Sequence, residues 1–307
     1  MAKQRIHLAA GRSERVDRLL AEALGGISRR RLQRLLAEGA LRIDGRRVRK
    51  GEVLHGERTI EVDLPAAEGE IAAEPGLALA LLFEDARCVA VDKPAGRPGH
   101  ALRADERGTV ANFLATRFPE CLAAGDSPLE AGLVHRLDTD TSGVLLAARD
   151  RAAWLDLRRQ FRAGTITKRY AAVVVGEIAT PGEIRRAIES GARRRPQVRV
   201  LADGERTRRS RAALTRYLPV ARSAEATLLE VEIPTGVRHQ IRAHLAAIGH
   251  PVLGDQRYGG GEIPEGRHLL HARRLAFDPP GGGARVEVES PLPAEFVAAL
   301  RRLGLRR

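Results

Sequence analysis

The chain has 307 residues, 43% of them hydrophobic, and a formal net charge of +13 from 52 Lys and Arg against 39 Asp and Glu. Such a length accommodates two domains, and the one-signed charge favours a polyanionic partner, either nucleic acid or an anionic surface. No apolar run approaches the ~18 residues of a spanning helix, no secretory stretch opens the chain, and Cys88 and Cys121 alone build neither a disulfide framework nor a cysteine zinc site. The expectation is a cytoplasmic, reduced, metal-free protein without membrane association, and a monomer by default.

Residues 11–64 carry a compact pattern. Apolar residues from Val16 to Leu24 have helical spacing, and Ser28 is a candidate N-cap for a second helix over 29–38 with Leu32, Leu35 and Leu36 as its stripe. Gly39 ends that helix. Leu41-Arg42-Ile43 followed by Asp44-Gly45 reads as a strand and tight turn, and 48–62 supplies further short strands. Arg29, Arg30, Arg31, Arg34, Arg46, Arg47 and Lys50 crowd this stretch, which contains only Glu38 and Asp44 in opposition between Ser28 and Lys50. A charge run is often only a solvated face. This one is dense, one-signed and spans both helix and hairpin, so it is a candidate surface for phosphate.

Residues 65–78, rich in Ala, Gly, Pro and Glu, read as a linker, and 79–302 as one larger domain of alternating strands and helices. The basic end of the chain, from Arg301, reads as a frayed tail. In the larger domain Val89–Val91 leads into Lys93-Pro94-Ala95-Gly96, a strand ending in a turn. Leu133–Arg149 places His135, Arg136 and Asp138 after one apolar run and ahead of Thr141-Ser142-Gly143 and a second run, Val144–Ala148. Taken as strand, loop, strand, this offers Asp138 at a loop tip on a rigid support, although an Asp there can equally well just bond its own turn. Tyr170 begins a β-branched run, Ala171–Val175, that must be a buried strand. Arg193-Arg194-Arg195 reads as a basic loop, either closing on a partner or simply solvated.

Further on, Ile241, Leu245 and Ile248 have helical spacing, and Gly249 with Pro251 stops that helix. His239 and His244 are five apart, which excludes a two-ligand metal site on one helix face. Neither a Walker loop nor a GxGxxG fingerprint occurs, so no nucleotide cofactor is expected.

His135-Arg136-Leu137-Asp138-x-x-Thr141-Ser142-Gly143 resembles the motif of the RluA-type pseudouridine synthases. The Lys-Pro-x-Gly turn, the segment around Tyr170, and Val237-Arg238-His239-Gln240-Ile241-Arg242 with Leu253-Gly254-Asp255-x-x-Tyr258-Gly259 are similar to that family's further motifs in the same order. The 11–64 region resembles the α-L RNA-binding module of ribosomal small-subunit protein S-four. The resemblance covers about residues 12 to 295. It departs at Val237, where the family usually has Arg, and at Asp44, where Asn is more common.

The resemblance implies an α/β (α+β) catalytic domain built on a mixed, mostly antiparallel sheet, with a small N-terminal α/β RNA-binding domain. It implies isomerisation of specific uridines in structured RNA, with large-subunit ribosomal RNA favoured and transfer RNA the other candidate, and no cofactor. Asp138 would be the catalyst, Arg242 its electrostatic partner, Tyr170 a contact to the target ring, and Arg136 a group that displaces the base. His135 is read as a structural hydrogen-bonder. Two competing readings are a catalytically silent RNA-binding assembly factor and a hydrolase pairing Asp138 with Asp140.

Overall fold

The computed structural model describes residues 2–8, 14–15, 41–43, 45–48, 52–54, 58–64, 71–191 and 197–305. The helix read over 29–38 lies outside them, as do Arg29, Arg30, Arg31, Arg34, Lys50, Asp44 and the 193–195 cluster.

The N-terminal strands are β1 (Ala2–Leu8), β2 (Glu14–Arg15), β3 (Leu41–Ile43), β4 (Arg46–Arg47), β5 (Val53–Leu54) and β6 (Arg58–Leu64). A four-stranded sheet runs β1-β6-β3-β4, and β2 pairs with β5 separately. The strand read at 41–43 is present and pairs with β4, with Gly45 at φ +80° and its carbonyl accepting from the Arg42 guanidinium at 3.1 Å. Ahead of residue 11, β1 pairs with β6 along its whole length.

The second half of the expected linker is not one. Ile71 is buried in the core of the larger domain, Asn112 Nδ2 donates to Ala72 O at 2.8 Å, and the Glu74 amide donates to Thr116 Oγ1 at 2.7 Å. One isolated apolar residue is too little pattern to reveal this strap. The C-terminal end is likewise tied down: Leu305 is buried, and Arg302 donates to both oxygens of Glu265 at 2.9 and 2.8 Å.

The larger domain is built on one nine-stranded sheet. Its strands are β7 (Leu81–Glu84), β8 (Cys88–Lys93), β9 (Ser142–Ala148), β10 (Thr167–Val175), β11 (Gly182–Ile184), β15 (Thr215–Arg222), β16 (Ala226–Glu232), β17 (Leu270–Phe277) and β18 (Val286–Glu289). Their order is β11-β15-β16-β10-β17-β9-β8-β7, with β18 also on β17. Every pairing in this sheet is antiparallel except β17 with β9, which meet over two ladder positions, His271↔Ser142 and Ala272↔Gly143. Three short strands, β12 (Ile188–Glu189), β13 (Arg199–Val200) and β14 (Ser210–Arg211), form a side sheet.

Strand periodicity sorts the core into two layers. Leu145 and Ala147 of β9 join Tyr170, Ala172 and Val174 of β10 on one face, covered by helix α1 (Val110–Arg117) and by Ile241 and Leu245 of helix α3 (Gln240–Ala247). Val144, Leu146 and Ala148 point to the other face, against Ala153, Trp154 and Leu157 of helix α2 (Arg151–Ala163). A further cluster on Ala171 and Val173 takes Phe296 and Ala299 of helix α4 (Ala294–Arg302). β9 and β10 are apolar on both faces because both faces are covered. Helix α2 starts on an Asp150 side chain that accepts from the Ala153 amide and stops at Gly164 in the left-handed region.

Five histidines are built into this core as neutral rings. His244, fully buried, has Nδ1 2.9 Å from Thr215 Oγ1 and Nε2 3.0 Å from the Arg186 carbonyl. His271 Nδ1 lies 2.9 Å from Ser142 Oγ, across the parallel junction. Burial lowers the pKa of His239, His244 and His268 to about 4 and of His135 to about 3. In the unfolded chain these rings protonate near pH 6.5, so between about pH 6.5 and 4 the unfolded state binds more protons than the native one. Stability should therefore fall as the pH drops through that window. Urea unfolding at pH 7.5 and pH 5 is expected to show a lower midpoint at pH 5, with a smaller pH dependence in His244→Gln.

Candidate active site

The segment read as strand, loop, strand is a loop followed by one strand. Leu133 makes only an isolated bridge to Ala147, and the strand proper starts at Ser142. The residues of His135–Gly143 nevertheless have defined tasks. His135 Nε2 accepts the Leu146 amide at 2.9 Å while its ring stacks on Phe161 at 4.8 Å, so it bonds structurally, as expected. Leu137 is buried, and the Asp138 carbonyl accepts from the Thr141 amide at 3.1 Å to close the turn. Thr141 Oγ1 lies 2.9 Å from His268 Nε2. Gly143, at φ +116°, lets the strands close, since a Cβ there would stand 2.2 Å from Ala272 O. Arg136 is exposed at the rim.

The Lys-Pro-x-Gly turn underpins this loop. Lys93 is fully buried, and its ammonium donates to the carbonyls of Pro94 at 2.9 Å, Arg97 at 2.7 Å and Thr139 at 2.7 Å. Burial lowers its pKa to about 7, against which Asp140 and Asp138 pull upward. The three carbonyl dipoles favour the charged form and tie the end of β8 to the residue after Asp138.

Asp138 faces helix α3. Its Oδ2 accepts from Arg242 Nη1 at 2.8 Å, joining residues 104 positions apart. The remaining edge of the same guanidinium is taken by Asp255, with Nε to Oδ2 at 2.6 Å and Nη2 to Oδ1 at 2.9 Å. Asp255 is 2% exposed and sits in a tight turn where its amide donates to Val252 O and its carbonyl accepts from Tyr258 and Gly260. Arg242 also lies over the Tyr258 ring, 5.3 Å from its centroid. The sequence motifs contain Asp255 and Tyr258 but give neither a task, because their partner is a helix residue that only the fold brings near.

Burial opposes ionisation of Asp138, but the neighbouring His239 and the hydrogen bond and charge of Arg242 outweigh it and hold the carboxyl below its ordinary pKa. His239 is itself neutral near pH 7, so the charge that keeps Asp138 ionised there is that of Arg242. Arg242 is raised above its already high ordinary value by its two carboxylates, despite burial.

These groups open onto a cleft of about 720 Å³. Seven of its lining side chains are Lys or Arg, among them Arg136, Arg211 and Arg238, and Asp138 is the one carboxylate among the lining residues. Asp140 is exposed and does not line it, which removes the two-carboxylate arrangement of the hydrolase reading. Tyr170 lines the cleft at a register break where Ala272 and Arg273 of β17 stand opposite it alone. A bulge beside a site commonly re-aims a side chain. Burial and the charge of Asp138 push its phenol above the ordinary range, so it meets the cleft as a neutral hydroxyl.

Asp138, Tyr170 and Arg242 are thus brought to one cleft with Arg136 at its rim. Val237, at the position usually Arg, packs on an apolar cluster of Ile188, Val198, Ala213 and Ala243, and it lines the cleft next to the exposed Arg238. Of the expected phosphate-binding residues, Arg46 and Arg47 are described. Both are exposed on β4, and Arg46 is ion-paired with Glu52. Replacing Lys93 by Met would strand three carbonyls; we expect Lys93→Met to cost about 2–3 kcal/mol in urea unfolding and to speed hydrogen exchange at the Thr141 amide.

Comparison with known proteins gives the geometry its context. Residues 87–247 match the family model described as RNA pseudouridylate synthase, and residues 14–60 match the S4 domain. The chain is 35% identical to the ribosomal large subunit pseudouridine synthase D of Xanthomonas campestris pv. campestris, over 97% of this chain and 92% of that protein. It is 32% identical to the protein of the same name from Pseudomonas aeruginosa, over 94% and 92%. Among solved structures it resembles human RNA pseudouridylate synthase domain containing 4, with a TM-score of 0.59 and 25% identity over 74% of this chain and 94% of that one. With a cleft built around one ionised carboxylate and a sheet of this topology, the chain belongs to the RNA pseudouridylate synthase family and is an isomerase of RNA uridine that carries an S4 domain ahead of its catalytic fold.

Proposed function

We propose that the chain isomerises specific uridines of large-subunit ribosomal RNA, with Asp138 as the catalytic carboxylate, Arg242 as its electrostatic partner and Tyr170 against the target ring. The observation that carries the reading is one ionised carboxylate, paired to Arg242, in a cleft lined by seven Lys and Arg side chains and no second carboxylate among its lining residues. The names of the relatives in Xanthomonas campestris pv. campestris and Pseudomonas aeruginosa support the ribosomal substrate. Transfer RNA is the other candidate. The protein works as a cytoplasmic monomer and needs no cofactor, because the reaction is balanced within the nucleotide.

Isomerisation breaks the bond between C1′ and N1 of uridine, turns the uracil, forms the bond from C1′ to C5, and moves a proton from C5 to N1 in net terms. An ionised Asp138 serves either route to the first step, attack at C1′ or removal of a sugar proton to give a glycal. The depressed pKa keeps it ionised at neutral pH. Arg242 holds it and balances its charge as the nucleotide seals the cleft. Tyr170 is a ring contact, since its neutral hydroxyl is a poor base.

The uridine must leave its stack to reach Asp138, at a cost of a few kcal/mol, and Arg136, exposed at the rim, is the cation available to fill the vacancy. Arg29, Arg30, Arg31, Arg34, Arg46, Arg47 and Lys50 grip phosphate from the N-terminal module.

Asp138→Asn is expected to lower turnover by at least about a thousandfold while changing RNA affinity less than about threefold. A pseudouridine map of ribosomal and transfer RNA from cells carrying wild-type or Asp138→Ala protein names the substrate; no change at any site would overturn the proposal. Removing residues 1–64 should weaken RNA binding and flatten the slope of log affinity against log salt concentration by several units, about one for each phosphate no longer neutralised. An unchanged slope would show that the module does not grip the backbone.

A further inference from the structure

His239 and Tyr258 lie beside the Asp138–Arg242 pair, and neither touches the reacting atoms of the uridine in the chemistry proposed for it. His239 directly precedes helix α3 in the left-handed region, at φ 55° and ψ 20°, and is 8% exposed. Its Nδ1 is 2.9 Å from Tyr258 Oη, and its Nε2 is 3.8 Å from Asp138 Oδ1. Tyr258 Oη already accepts the Val198 amide at 3.2 Å.

Among the described residues, one arrangement of protons pairs the Val198 amide, the phenol and the ring and turns the remaining N–H toward the carboxylate. The Val198 amide donates to Tyr258 Oη, the phenol donates its own proton to His239 Nδ1, and the ring carries its proton on Nε2, facing the carboxylate. The opposite tautomer would leave the phenol proton without an acceptor among the described residues and aim an imidazole lone pair at Asp138 Oδ1. The ring is neutral near pH 7, so a single N–H decides what it presents. Asp138 Oδ2 is already taken by Arg242. Hydrogen bonds in an unliganded site are often long and shorten once substrate closes it.

We propose that Tyr258 and His239 are positioning residues for the carboxylate: the phenol fixes His239 as its Nε2–H tautomer, and that N–H sets the plane of Asp138 by holding Oδ1 while Arg242 holds Oδ2. The inference rests on Asp138 being the catalyst.

The test is single-turnover kinetics on a transcript carrying the uridine that the Asp138→Ala map identifies. His239→Asn suits the left-handed backbone; its short amide reaches about as far as Nδ1, keeping the Tyr258 contact but losing the donor toward Asp138. We expect its rate to fall roughly ten- to hundredfold with RNA affinity changed less than about threefold. His239→Gln, whose amide nitrogen reaches about as far as Nε2, should recover at least about tenfold over His239→Asn. Tyr258→Phe should slow the wild-type enzyme about tenfold yet add little to His239→Gln, because an amide has no tautomer to set.

Equal rates for the Asn and Gln variants, or the same effect of Tyr258→Phe in both backgrounds, would reduce the pair to packing and overturn the proposal. The Tyr258→Phe comparison decides it even if His239→Asn does not fold. An active Asp138→Asn would instead remove the catalyst itself. An inactive Asp138→Asn beside a fully active His239→Asn would remove only the positioning role.

Discussion

The structure turns on one guanidinium shared by two carboxylates. Arg242 gives two of its nitrogens to Asp255 and a third to Asp138, with all three groups largely out of water. Burying a charge is tolerable only when it is paired and hydrogen-bonded, and here each member supplies what the others need. Asp255 anchors the arginine so firmly that Asp138 need make only one bond to it. That leaves the Asp138 carboxylate 18% exposed and ionised at the cleft, where an arginine with no second partner would be free to swing away.

Much of this is legible in the sequence, and the reasons for the failures are physical. The order of motifs points to the cleft, and the buried run after Tyr170 to a central strand. The apolar run before Asp138 looks like a second strand, but Leu133 and Val134 are buried by packing and one bridge, not by a ladder. Lys93 sits in a turn motif that any strand could end with; its three carbonyl partners come from backbone, which leaves no side-chain signature. Asp255 is visible in a motif and silent in meaning, because a residue's partner across a turn is set by tertiary closure. Val237 in place of Arg gives a local departure whose consequence, an apolar contact, depends on elements roughly 40 residues away.

The side chains that line the cleft come from elements with different support. Tyr170 belongs to a strand paired on both sides, and Arg242 to a helix whose other residues are mostly core. Asp138 lies on a loop, yet that loop is held by Lys93, by His268 through Thr141 and by a glycine fitted against β17. The Asp138 carboxylate thus sits on a short, over-determined turn, which is the rigidity that accurate placement of a carboxylate requires.

The parallel junction of β9 and β17 bears on how the chain folds. β7 with β8, β15 with β16 and β17 with β18 are hairpins that can zip locally, whereas β8 with β9 and β10 with β16 first pair at Lys93↔Gly143 and Val175↔Ala226, across longer loops. The junction joins residues 129 apart with two ladder positions, and Asp138 meets Arg242 beside it across 104 residues. Closing so long a loop for so few backbone bonds is entropically late work. The Asp138–Arg242 pair is therefore among the last contacts to form, and the side chains that stitch the junction (Ser142 to His271, Thr141 to His268) are the same that brace the Asp138 loop. Folding of the sheet and assembly of the site are one event, so a chain stalled before it would retain its local hairpins and possess no cleft at all.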